Sequence, residues 1–117
     1  MSDTSLQRVL IIDDNSDYRK LIGTFINKLL PEVEFVEHDP VQQGVPDNGF
    51  DWAAFDVLLL DYNLSIVGTT GLDILHKHHK KPDFPATIML TAAGTEEIAI
   101  RALKLGIYEY QPKQSLT

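Results

Sequence analysis

Asp56-Val57-Leu58-Leu59-Leu60-Asp61-Tyr62-Asn63 is a run of four apolar residues that ends abruptly on a carboxylate. A short continuous apolar run between polar residues reads as a strand covered on both faces, the pattern of a central strand in a parallel sheet. In open α/β sheets ligands gather beyond the carboxyl ends of the strands, so Asp61 falls where sites are built. Taken alone, a strand-ending Asp more often shapes the following turn than carries chemistry. The rest of the chain reverses that balance.

Upstream, Arg8-Val9-Leu10-Ile11-Ile12 is a second apolar run, and it too ends on acid, at Asp13-Asp14-Asn15. From Ser16, residues Tyr18, Leu21, Ile22, Phe25, Ile26, Leu29 and Leu30 fall at helical spacing, with Asn15 or Ser16 as N-cap and Pro31 as the stop. Val33, Phe35 and Val36 predict a short strand towards an edge. Where βα alternation calls for a second helix, residues 39–50 hold Pro40, Gly44, Pro46 and Asp47-Asn48-Gly49. An internal Pro costs a helix about 3 kcal/mol and a Gly about 1, which leaves at most one helical turn in an irregular surface segment. Asp51 to Phe55 reads as a short turn, with Trp52 and Phe55 packing that segment.

Downstream, Leu64 to Thr70 contains Gly68 and no periodicity, and reads as a loop. A helix follows from Gly71 to about Lys81, with Leu72, Ile74 and Leu75 inward and Pro82 and Pro85 ending it. His76, His78 and His79, among Lys77, Lys80 and Lys81, read as its solvated cationic end, since His76 and His79 on one face make too few ligands for a metal. Ala86 to Leu90 is another buried strand and closes on Thr91-Ala92-Ala93-Gly94. Thr95 opens a helix with Ile98, Ala99, Ala102, Leu103 and Leu105 inward, Arg101 and Lys104 outward and Gly106 as the stop. Ile107 to Gln111 forms a last, weaker strand before Pro112-Lys113.

At 117 residues the chain suits one domain. It has no Cys, which removes disulfides and thiolate chemistry. The net charge of -7 argues against nucleic-acid binding by the domain itself, which needs a basic footprint. No run approaches the roughly 18 apolar residues of a membrane span, and Met1 to Val9 lacks the apolar core of a signal peptide, so a cytoplasmic domain is expected.

The order β, α, β, irregular, β, α, β, α, β calls for a parallel sheet with right-handed crossovers. Its strand ends carry Asp13 with Asp14, Asp61, Thr91 and Lys113. Two carboxylates about 5 Å apart repel by roughly 3 kcal/mol at an effective dielectric near 20, so the cluster requires compensation. An all-oxygen ligand set suits Mg²⁺, with positions left for phosphate oxygens. Phosphoryl transfer uses every member: Asp61 as nucleophile, Lys113 and Mg²⁺ neutralising charge, Thr91 donating a hydrogen bond. No general base is needed, because a carboxylate is ordinarily ionised at neutral pH.

On these residues, together with Tyr110-Gln111-Pro112-Lys113 at the end, the whole chain resembles a response-regulator receiver domain. The resemblance implies a flavodoxin-like three-layer α/β fold whose five-stranded parallel sheet has the order 2-1-3-4-5. It further implies phosphorylation of Asp61 by a histidine kinase or histidine phosphotransfer protein. Mg²⁺, or alternatively Mn²⁺, would be held by Asp13, Asp14, Asp61 and the backbone carbonyl of Asn63, and Thr91 and Tyr110 would form a switch pair. Departures are a degraded second helix, Leu64-Ser65 where the family has an apolar residue and Pro, Gly71 about two residues late, and a missing fifth helix. That last departure leads to the expectation of a fragment of a longer protein with an effector domain, and of a homodimer over the bared face. The rival readings are a receiver that is never phosphorylated and serves for interaction alone, and a haloacid-dehalogenase-like phosphatase. The phosphatase needs an acid/base Asp where this chain has Asn63. A flavin carrier is disfavoured by the acidic turn after the first strand.

Overall fold

The computed structural model describes residues 6–91 and 101–113. In chain order these form β1 (Arg8–Ile12), α1 (Ser16–Leu29), β2 (Glu34–His38), α2 (Pro40–Gln43), a 3-10 turn (Trp52–Ala54), β3 (Val57–Asp61), β4 (Asn63–Ile66), β5 (Thr69–Thr70), α3 (Gly71–His78), β6 (Ala86–Thr91) and β7 (Glu109–Pro112). Residues 101–104 are helical and are called α4. The main sheet has the order β2-β1-β3-β6-β7 with every neighbouring pair parallel. With the small β4–β5 hairpin set aside, this is the expected 2-1-3-4-5 order, and β2 is an edge.

Alternate residues of the central strands enter two cores, as the period-2 geometry of a strand dictates. Leu10, Ile12, Leu58, Leu60 and Met89 pack with Leu72, Ile74 and Leu75 of α3 and with Ala102. Ile11 and Leu90 face the other way, onto Tyr18 and Ile22 of α1, with Leu59 and Ile88 beside them. Four of the five β1 residues are buried, which is why the run shows no polar alternation. Asn15 caps α1, its side chain accepting from the Tyr18 amide. Phe25 and Leu29, on the apolar stripe of α1 by spacing, stay exposed and line a groove of about 360 Å³ with Ile26, Leu59, Ile88 and Leu90. The fifth-helix expectation concerns chain after Lys113, outside the described residues, as do Ala92, Ala93 and the start of the helix read from Thr95.

The degraded second helix is one turn, Pro40–Gln43, capped by Asp39 and ended by Gly44 at a φ of 88°. The segment after it is held by aromatic packing: Phe50, Trp52 and Phe84 have ring centroids 4.6 Å (Phe50–Trp52) and 5.1 Å (Trp52–Phe84) apart. Four sequence readings need correction. The helix from Gly71 ends at His78, before Lys81, and His78 is buried against Trp52 rather than solvated. It falls on the stripe of Ile74 and Leu75 at i+4 and i+3, so helical periodicity places it inward. Leu103, read as inward, is exposed, while Ala102 beside it is buried. The supposed loop of residues 64–70 is an antiparallel hairpin with an irregular register. Gly68, at a φ of 80°, permits its tight turn, and fully buried Leu64 roots it in the core. No helix among the described residues is long and apolar enough to cross a membrane.

Candidate functional site

Strand register assembles the candidate residues at one end of the sheet. Ile12 pairs with Leu60, so Asp13 and Asp61 leave neighbouring strands at the same level. Asp61 pairs with Leu90 and Thr91 with Pro112, which carries Thr91 and then Lys113 one step further out. Asp14, Asn15, Asp61, Tyr62, Asn63, Ser65, Thr91 and Lys113 line a cleft of about 260 Å³ there. Asp13, Asp61 and Thr91 are buried, and Asp14 is half-buried.

Each acid is anchored differently. Asp13 Oδ1 accepts from the Asn15 amide at 2.9 Å. Its Oδ2 lies 2.7 Å from Lys113 Nζ in an ion pair. Arg19 fixes the backbone below it, donating from Nη1 to the Asp13 carbonyl at 2.7 Å while its Nε pairs with Glu37 at 2.9 Å. Lys113 Nζ also donates to Asp61 Oδ2 at 3.3 Å, so one ammonium serves two carboxylates. Asp14 Oδ2 accepts from Ser65 Oγ at 2.6 Å. Gly71 sets the wall behind Asp61: a Cβ at that position would collide with the Asp61 carbonyl, and the Gly71 amide donates to the Tyr62 carbonyl at 2.8 Å.

The electrostatics follow from a shortage of positive charge. Burial and the adjacent Asp13 charge push the Asp61 carboxyl up to about 7, with Lys113 pulling the other way. Without a cation beside it, Asp61 is therefore drawn towards its protonated form. Burial acts to lower Lys113, but hydrogen bonding to Asp13 and the charge of both acids outweigh it and hold the ammonium above the usual lysine range. Sequence reasoning took Tyr18 for core. Its ring lies 4.4 Å from the Lys113 ammonium, a cation–π contact, and burial with the Asp13 and Asp61 charges pushes its phenol up to about 12. Its place three residues after the cap, beside the acidic turn, was the available signal.

Ligand atoms of Asp13, Asp14 and Asp61 all lie within 4.8 Å of one another. Three carboxylates with one ammonium form a hard, all-oxygen donor set of net negative charge, which fits Mg²⁺ or Mn²⁺. Asn63 borders the cleft, its side chain turned to accept from the Ser65 amide at 3.1 Å. Tyr110 pairs with Met89 in the sheet, and its side chain lies outside what the structure describes.

Residues 9–116 match the response regulator receiver domain family. The transcriptional regulatory protein ResD of Bacillus subtilis (strain 168) is 26% identical over 112 residues, covering 94% of this chain and 43% of ResD. The chain therefore spans less than half the length of that relative. Among solved structures, a CheY-like response regulator receiver domain from Methanospirillum hungatei JF-1 superposes with a TM-score of 0.72 at 23% identity, covering 96% of this chain and 88% of that one. The Mn²⁺-bound form of response regulator Rcp1 gives 0.70 at 19% identity, covering 91% and 80%.

Proposed function

This chain belongs to the response regulator receiver domain family, and from that premise we propose that Asp61 accepts a phosphoryl group from a histidine kinase or histidine phosphotransfer protein. The observation that carries the reading is Asp61 itself: a buried carboxylate at the end of a central strand, raised to about 7 beside a second acid and sharing one lysine. Such a site favours added positive charge, and Asp13, Asp14, Asp61 and the Asn63 carbonyl would hold a divalent cation there. When bound, the cation supplies neutralising charge to the acids and to phosphoryl oxygens. Rcp1, which shares the fold, has been seen with Mn²⁺.

In the proposed transfer an Asp61 carboxylate oxygen attacks phosphorus and the P–N bond to the donor imidazole breaks, its electron pair remaining on that nitrogen. In this reading Lys113, paired with Asp13 at 2.7 Å, neutralises a phosphoryl oxygen, and Thr91, which lines the cleft, donates its hydroxyl to another. Thr91 then follows the new anion and Tyr110 turns into the space released, altering the surface of α4 and β7. Shifting such an equilibrium from 1:99 to 99:1 takes about 5.5 kcal/mol, so several contacts act together. ResD is named a transcriptional regulatory protein, and we propose that this domain likewise controls an attached effector or separate partner in the cytoplasm.

The test is to incubate the domain with a small acyl phosphate and Mg²⁺ and weigh the intact protein. The expected result is a gain of one phosphoryl group, absent with excess chelator and absent in Asp61→Asn. No gain, or an equal gain in Asp61→Asn, would mean a receiver that acts by interaction alone or accepts phosphate elsewhere.

A further inference from the structure

Three carboxylates face the cleft, and they are not held alike. Asp13 is fixed by the Asn15 amide and Lys113, and Asp61 by Lys113. Asp14, the most exposed of the three, has a different anchor: the Ser65 hydroxyl, which reaches across from the β4–β5 hairpin at 2.6 Å. That is a short hydrogen bond between side chains 51 residues apart in the chain. Ser65 cannot easily be elsewhere. Leu64, fully buried, roots the strand on one side, and the Asn63 side chain accepts from the Ser65 amide. The backbone at Ser65 has a φ of 57°, at the register irregularity of the hairpin. A proline, the residue the family resemblance leads one to expect here, could neither adopt that φ nor donate a hydrogen bond.

We infer that Ser65 is a positioning residue for the cation: its hydroxyl holds the Asp14 carboxylate towards Asp13 and Asp61 and so sets the divalent-cation affinity of the site. This rests on the reading of those acids as a cation site. A half-exposed Asp otherwise rotates freely about two side-chain bonds, and each orientation that leaves the cleft removes a ligand. With one oxygen engaged by Ser65, the other remains for the metal. Groups that orient metal ligands in this way change affinity by about 10–100-fold when removed. The hairpin thereby ties the insertion after Asp61 to the acid after β1, a connection that sequence spacing alone does not reveal.

The test uses Mn²⁺ and Mg²⁺ alone, without a phosphodonor. Mn²⁺ binding is followed by its electron paramagnetic resonance signal, with Mg²⁺ as competitor, in wild type, Ser65→Gly, Ser65→Ala and Asp14→Asn, and thermal unfolding is recorded under chelator for each. Ser65→Gly removes the hydroxyl and relieves the positive φ, so its metal-free stability should match or exceed wild type. Both Ser65 variants should bind about tenfold more weakly, with the loss in Ser65→Gly unaccompanied by destabilisation. Wild-type affinity in Ser65→Gly, with binding lost in Asp14→Asn, would overturn the role of Ser65 and leave the cation site standing. Absence of binding by the wild type would overturn both.

Discussion

Asp61 and His78 are both withdrawn from water, and their surroundings treat them in opposite ways. Asp61 ends a strand at a polar cleft, beside Asp13, under one shared lysine. His78 ends a helix in an aromatic nest, its ring 5.1 Å from that of Trp52, and neither ring nitrogen has a hydrogen-bond partner among the described residues. Burial raises the acid towards neutrality. For the imidazole, burial, with Lys81 and Lys77 adding to it, lowers the pKa against the weaker pull of the Pro46 backbone and Asp47. Each group is thus pushed towards its neutral form. The difference lies in access: the acid opens onto oxygen ligands that a cation can complete, whereas the imidazole is sealed by rings and serves packing. A buried titratable residue becomes a site only where its neighbours leave a charge deficit that an incoming ligand can fill.

The largest effect expected on this contrast comes from Asp61→Asn. Because the folded pKa of Asp61 is raised from 3.8 to about 7, its contribution to stability is fully present below about pH 4 and is lost as pH rises through 7. Metal-free wild type should therefore lose stability across that window. The Asn variant should not, and at pH 8 it should be the more stable of the two. Denaturant melts under chelator at pH 5 and pH 8 measure this, and equal slopes with pH for the two proteins would break the comparison. Mg²⁺ should restore stability to the wild type at pH 8 and have little effect on Asp61→Asn.

Gly71→Ala comes next. The added methyl meets the Asp61 carbonyl, so we expect a loss of about 1–3 kcal/mol together with slower phosphorylation, because the strand end that carries the acid must shift. His78→Leu is smaller. At pH 8 it should change stability by under about 1.5 kcal/mol, since the ring nitrogens it removes are unpaired. Its signature is the acid limb. A lowered His pKa means that wild-type stability is complete above about 6.5 and declines as pH falls below it, whereas the Leu variant should lack that decline. The two groups thus tilt the pH profile in opposite senses, and the double variant should be flat between them.

The sheet was legible because its central strands are apolar runs that stop on Asp13, Asp61 and Thr91, and parallel register converts those stops into one site. The short second helix was legible through Pro40 and Gly44. What escaped was contact between distant segments. Strands β4 and β5 have four and two residues, too few for a period to show, and the Ser65–Asp14 bond spans the chain without any local pattern. The raised pKa of Asp61 was equally hidden, because it arises from burial and from Asp13 on another strand. His78 was different in kind: its i+3 and i+4 spacing from Leu75 and Ile74 was present in the sequence, and its identity as a polar residue masked it.

The most direct measurement is chemical trapping of the acceptor. After reaction with a small acyl phosphate and Mg²⁺, hydride reduction converts an aspartyl phosphate to homoserine, which peptide sequencing by mass locates. Homoserine is expected at position 61 alone, dependent on Mg²⁺. Homoserine at Asp13 or Asp14, or at no position under conditions where Mg²⁺ is bound, would contradict it.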